Sequence, residues 1–242
     1  MVKKMVPGEL VYGVHPVMEL LKQKKRKVLD IFVLNPEPKI WMQIRDFLPK
    51  YPVRVHHMNR DSLSKKLGTT DHQGVGAIAQ PFAYRKKFFD IQKEPFLLLL
   101  DGVQDVRNFG AMIRSAYCTG VNGIIISKRH AAPLTGPALK ASAGLAERME
   151  IYQAPSTAHA LQELQQAGYH IYVAALSKKQ NAFTEQYQFP ACLIIGSEGT
   201  GVAPTTLKAG TVITLPQQSP DVSYNASVAA GILLSVMKWG KR

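Results

Sequence analysis

Three places in the sequence gather residue types that can do chemistry. The first is DVRNFGAMIRSAYCTG, residues 105–120, which after Arg107 carries no formal charge except Arg114 until Lys128 is reached. A permanent cation among small and apolar residues must snorkel, pair with a carboxylate or face a ligand. Asn108 stands where a helix N-cap would stand. Gly110 precedes Arg114 by one turn on the same helical face and lets another backbone or a ligand come close. The acidic residue at hand is Asp105, nine residues before Arg114. The second place, CLIIGSEGTGV, sets Glu198 among Gly196, Gly199 and Gly201. Such a loop exposes its main-chain groups, yet it matches neither G-x-G-x-x-G nor the Walker pattern, which argues against a dinucleotide or a triphosphate. In the third, LPQQSPDVSYNASVAAG, prolines enforce an irregular loop and Ser223 and Asn225 then open a helix. Taken one at a time, these are an ion-paired arginine, a tight turn and a pair of helix caps.

The elements around them give the three places a common setting. FLLLLDG, GIIIS, MEIYQ, HIYVAAL, CLIIG and VITLP read as strands, with helical segments between them. Uninterrupted Val/Ile/Leu strands joined by crossovers imply an α/β domain with a parallel sheet buried on both faces. Ligands of such sheets bind at the carboxyl ends of the strands, which is where all three places fall. The last segment, ASVAAGILLSVMKW, is apolar on most sides and predicts a helix packed on more than one face. The first part alternates helical and strand patterns: HPVMELLK, VLDIFVL, IWMQIRDFL, YPVRVHH, RDSLSKKL, GVGAIAQ. This predicts a small α/β domain over residues 1–80. The proline-bracketed, charged stretch at 81–95 then reads as a linker, and residues 96–242 as the sheet domain.

Composition points to an anionic partner. The 242 residues carry a formal charge of +13, with 18 Lys+Arg against 9 Asp+Glu in residues 1–95 and 12 against 8 thereafter. That asymmetry suggests a basic binding part and a separate working part, with nucleic acid as the commonest partner. Phosphate contacts are expected from the KQKKRK run at 22–27 and the RKK run at 85–87, and base stacking from His15, His56, His57 and His72. No secretory or membrane-spanning pattern is present, and a cytoplasmic location is expected. Cys118 and Cys192 lie in apolar contexts and read as structural thiols, and no metal-ligand spacing occurs.

The order and chemistry of the three places resemble the signature motifs of the SpoU (TrmH) branch of the SPOUT methyltransferases. They match as Asn-x-Gly-x-x-x-Arg, Gly-x-Glu-x-x-Gly and a Ser-x-Asn entry to the last helix, and DHQGVGAI at 71–78 looks like the end of that branch's small substrate-binding domain. Val106 stands where the family usually has proline, and SYNAS replaces the more usual SLNVS, so that Tyr224 takes the place of a leucine beside the cofactor. The resemblance implies a C-terminal domain with a deep trefoil knot, S-adenosylmethionine bound in it, a homodimer with each active site at the subunit interface, and an N-terminal domain like ribosomal protein L30e. It further implies transfer of a methyl group to a ribose 2'-hydroxyl of RNA. A guanosine of 23S rRNA is favoured over tRNA, since tRNA enzymes of the branch commonly lack the first domain. A non-catalytic RNA-binding or ribosome-assembly protein of the same fold is the reading from another class.

Within that resemblance Arg114 lies beside the target ribose, Asn108 holds Arg114 or the ribose, and Ser223 and Asn225 orient the nucleophile. Glu198 balances the arginine or builds the dimer interface. Gly196 and Leu215 are expected to meet the cofactor through their main chains, Tyr224 through its side chain, with Ala174, Ala175 and Leu176 as a wall. A guanidinium is essentially never deprotonated in a protein, which favours electrostatic stabilisation by Arg114 over a literal general base.

Overall fold

The computed structural model describes residues 8–128, 131–176, 180–219 and 221–240. By contacts the chain divides into two compact units, one running to Ala83 and including Leu134–Arg148, the other comprising Tyr84–Pro133 and Met149 onward.

The first unit begins with β1 (Glu9–Tyr12), α1 (Val14–Gln23), β2 (Val28–Leu34), α2 (Trp41–Arg45), β3 (Arg54–Met58), α3 (Arg60–Leu67) and β4 (Val75–Ala79). Its four strands pair in the order β1-β4-β2-β3, antiparallel except for β2 with β3. β1 was not expected from the sequence, because four residues carry too little periodicity; pairing with β4 is what makes them a strand. Tyr12, Phe32, Leu63 and Leu67 pack together under α3. His72 does not belong with the stacking histidines. It is fully buried, with Nδ1 accepting from Gly74 N and Nε2 bonded to Ser64 Oγ. Burial, helped by Arg60, holds its pKa below the ordinary histidine value.

The second unit contains β5 (Phe96–Asp101), α4 (Val106–Cys118), β6 (Gly123–Ser127) and, beyond the segment holding α5 (Gly136–Ala141), β7 (Glu150–Ala154), α6 (Thr157–Ala167), β8 (His170–Ala174), β9 (Ala191–Gly196), α7 (Pro204–Leu207), β10 (Thr211–Ile213) and α8 (Ala226–Trp239). The sheet runs β10-β8-β9-β5-β6-β7 and every pairing is parallel. Leu97–Leu100 and all of β9 are buried, as strands covered on both faces require. From the central β5 the chain goes to β6 on one side, while β9 closes the other; the crevice at such a reversal is where open α/β sheets take ligands.

Two segments pack differently from the expected division. Residues 84–95 do not form a free linker: Arg85 N donates to Ile151 O, Arg85 pairs with Glu94 at 2.6 Å, and Phe88 and Phe89 stack edge-on against Tyr152. Two adjacent phenylalanines hidden among the charges supply the apolar area that docks the stretch. Residues 134–148 were expected with the sheet domain, yet α5 packs on β1 and the following 3-10 turn on α1. Charge fixes them there: Arg26, 5% exposed, bonds Glu147, 1% exposed, and reaches Glu9 at 2.7 Å. Cys192 is buried, whereas Cys118 ends α4 at the surface and not in the core.

Candidate active site

The site is built at the carboxyl ends of β8, β9 and β10. Asp105, and not Asn108, caps α4: its Oδ1 accepts from the backbone N–H groups of Arg107 at 2.6 Å and Asn108 at 3.0 Å. The helix cap therefore lies three residues earlier than expected, and the Asn108 side chain is left for other partners. Its Nδ2 donates to Glu198 Oε1 at 2.9 Å, and its Oδ1 accepts from Asn225 Nδ2 at 3.1 Å. Asn225 meanwhile caps α8, its Oδ1 accepting from Ser227 N and Val228 N. One polar chain, Glu198–Asn108–Asn225, thus joins the three sequence places. Each amide's orientation is fixed by its neighbour, since Glu198 can only accept and the Asn225 oxygen is occupied by the helix end.

Beside this chain lies a cleft of about 510 Å³. Gly196, Leu215, Tyr224, Ala175 and Leu176 line it, with Glu198, Ser223 and Asn225 at its polar side. Ala174, Ile195, Ile213, Ala229 and Leu233 complete the apolar walls. Gly196 is required by space: a Cβ there would sit 2.4 Å from the Gly201 carbonyl, because Ser197 and Gly201 exchange backbone hydrogen bonds and fold the loop back on the strand end. Tyr224 is half exposed, and its hydroxyl donates to Pro216 O at 3.4 Å. Gln217, which sequence reading passed over, also lines the cleft, and its buried Nε2 has no hydrogen-bond partner.

Arg114 stands apart. It is exposed on α4 and makes no hydrogen bond or ion pair among the described residues; its candidate partner Asp105 is spent on the cap. Next to it is a shallow hollow of about 610 Å³ between α4 and α8, lined by Ala111, Ser115, Ser227, Val228, Gly231, Ile232, Ser235 and Val236. Of the ten expected site residues, nine therefore meet around one cleft and the arginine does not. Among the described residues no three His, Cys, Asp or Glu side chains converge as a metal site would need.

Comparison with known proteins decides the family. The model of the SpoU rRNA methylase family matches residues 95–235. The chain belongs to that family. A second model, described as RNA 2'-O ribose methyltransferase substrate binding, matches residues 10–85. Relatives of this SpoU chain include the 23S rRNA (guanosine-2'-O-)-methyltransferase RlmB of Haemophilus ducreyi, 30% identical over 94% of this chain and 96% of its own. The RlmB of Escherichia coli K12 is likewise 30% identical, with the same coverage of both chains. Among solved structures, the SpoU methyltransferase AviRb of Streptomyces viridochromogenes, in complex with AdoMet, superposes with a TM-score of 0.79 at 21% identity, over 97% of this chain and 92% of that one. SpoU membership fits the cleft's donor set. Apolar walls, open main-chain groups and an orphaned amide suit a purine and an alkyl sulfonium chain, and among the described residues no cluster of basic side chains lines the cleft to hold a phosphate.

Proposed function

We propose that this protein transfers the methyl group of S-adenosylmethionine to a ribose 2'-hydroxyl of RNA, with a guanosine of 23S rRNA as the target. The observation that carries this reading is the hydrogen-bonded chain Glu198–Asn108–Asn225, which ties the three motifs together at the mouth of an apolar cleft. The names of the relatives, RlmB enzymes aligned over nearly the whole chain, support the choice of rRNA.

When bound, S-adenosylmethionine supplies an electrophilic methyl group on a sulfonium centre. Gly196 and Leu215 would hold it through main-chain groups, and Tyr224, Ala175 and Leu176, which line the same cleft, would meet its flat and apolar parts. The ribose oxygen must be held in line with the methyl group, so that the C–O bond would form as the methyl–sulfur bond breaks, leaving S-adenosylhomocysteine, while the hydroxyl proton passes to solvent water. Positioning supplies most of the rate, through Ser223 and the amides of Asn108 and Asn225. Arg114 stabilises the negative charge that develops on the oxygen. Its exposed position beside the hollow of small residues supports a homodimer in which each Arg114 serves the partner's cleft, with Glu198 holding Asn108 in place.

The finer architecture follows the same reading: a trefoil knot at the carboxyl ends of β8–β10 and an L30e-like first domain that selects the RNA in the cytoplasm. The strand orders and the likeness to AviRb support it. The test is to incubate the protein with labelled S-adenosylmethionine and unmodified rRNA and tRNA, digest the RNA and identify the methylated nucleoside by mass spectrometry. A 2'-O-methylguanosine from 23S rRNA is the expected product. Label in tRNA moves the substrate, and cofactor binding without label in any RNA favours the non-catalytic reading.

A further inference from the structure

The first unit carries a second cleft, of about 600 Å³, remote in sequence from every motif of the active site. Its floor is apolar, formed by Leu21 at the end of α1 and Val28 at the start of β2. Its sides are two rings, Phe47 and Tyr51. The Tyr51 ring is pinned although 38% exposed, because its hydroxyl accepts from Val28 N at 2.8 Å and donates to Val28 O at 3.3 Å. Lys24, Lys27 and Lys50 form the rim, all exposed. None of the three has a carboxylate partner among the described residues, and no acidic side chain lines the cleft. Helix-end charge accounts for Lys24, the C-cap of α1, but not for Lys27 or Lys50; Lys22, in the last turn of α1, sits 4.8 Å over the Phe47 ring.

The floor adds an unusual group. Arg26 lines the cleft and its side chain is only 2% exposed. Its two terminal nitrogens are occupied by Glu9, Gln80 O and Glu147. Its Nε–H is buried with no partner. Such a donor needs an acceptor, which water or a ligand in the cleft can supply.

We propose that this cleft binds one unpaired nucleotide of the RNA. The inference rests on the RNA-directed reading above and adds the place of capture. Aromatic sides with lysines over them suit a flat base, since every base offers a face for stacking. Lysines 24, 27 and 50 lie where the flanking phosphates pass, and the Arg26 Nε–H meets a carbonyl or ring nitrogen of the base. Duplex RNA does not fit, because its bases are stacked and its grooves are read from outside.

The test uses the full-length protein and fluorescence anisotropy of a labelled single-stranded fragment of large-subunit rRNA over a range of salt. The triple variant Lys24→Ala/Lys27→Ala/Lys50→Ala is expected to bind about a hundred-fold more weakly at low salt, with the slope of log affinity against log salt shallower by roughly two, from ~0.7 for each phosphate no longer neutralised. Phe47→Leu keeps the apolar volume and is expected to weaken binding roughly ten-fold with the slope unchanged, as loss of one stacked base predicts. The triple variant Lys39→Ala/Lys65→Ala/Lys66→Ala removes the same charge elsewhere on the unit and is the control. Wild-type affinity in the cleft variants, or an equal loss in the control, overturns the proposal. S-adenosylmethionine affinity and methyl transfer are measured on the same proteins. Methylation by a wild type whose RNA affinity ignores the cleft leaves the function standing and removes the site. Cleft-dependent binding with no methyl transfer does the reverse.

Discussion

Among single residues, two polar groups lack their ordinary partners among the described residues, Arg114 and the Gln217 amide. Arg114 is a cation with no counter-ion among the described residues, so its removal is expected to cost the fold little, and on the proposed function to cost the reaction much. Arg114→Ala is expected to retain S-adenosylmethionine affinity by calorimetry while methyl transfer falls by several orders of magnitude; turnover at the wild-type rate removes its assigned role. Gln217 presents the complementary case, a buried Nε2 facing the cleft with nothing to bond. A ligand acceptor there contributes about 1 kcal/mol net, so Gln217→Met should weaken binding of S-adenosylhomocysteine about five-fold while leaving thermal stability unchanged or raised. An unchanged dissociation constant means that the amide faces water and not the ligand. These two residues differ in how visible they were. Arg114 announces itself as a lone charge in an apolar run, whereas a glutamine beside a proline looks like any loop residue, and only the packed cleft shows that its nitrogen is orphaned.

At the scale of elements, capping decides which side chains are free for the site. Because Asp105 caps α4, Asn108 can reach across to Glu198, ninety positions away, and to Asn225. Asp105→Ala should cost about 1 kcal/mol of stability in urea unfolding, the usual worth of an N-cap, and should also lower activity as Asn108 is drawn back toward the helix end. Activity unchanged at full cofactor occupancy would separate the cap from the relay. In the first unit, His72 is held neutral by burial, with its Nδ1 accepting from Gly74. Its folded pKa lies below the unfolded value of about 6.5. The unfolded chain therefore takes up the proton first, so stability is complete above pH 6.5 and is lost as the pH falls from there toward the folded pKa. The melting temperature should drop between pH 7.5 and 5.5, and His72→Gln should flatten that dependence; an equal slope in the variant assigns it to other groups. Most elements were legible because their patterns are local: β2, α3 and α8 coincide with the VLDIFVL, RDSLSKKL and ASVAAGILLSVMKW segments read from sequence. The allegiance of α5 was not, since Ala138 and Leu139 are apolar toward either core and the choice is made by polar pairs distant in sequence, Arg26 with Glu147, Glu19 with Arg148 and Gln73 with Lys140.

At the scale of the whole molecule, the chain holds nine of the ten expected site residues in one place and leaves the tenth on an exposed helix. Sequence motifs identify which residues act together but not whether they come from one chain, because a repeated copy supplies the same letters. The hollow between α4 and α8, lined by alanine, serine, glycine and short branched side chains, is a surface on which a second copy can seat closely. Complementation between two inactive variants tests this directly. Arg114→Ala keeps its cleft and lacks the arginine, while Glu198→Ala keeps the arginine and loses its cleft chemistry. If each arginine serves the partner, a mixed dimer has one site with neither defect and one with both. Equal amounts exchanged at random make half of the dimers mixed, each with one working site of two, so activity should rise from near zero to about a quarter of wild type. If the arginine serves its own cleft, every site carries one defect and mixing restores nothing. Gel filtration of each variant as a dimer, with subunit exchange verified by mass difference, makes a null result count against action in the partner's site.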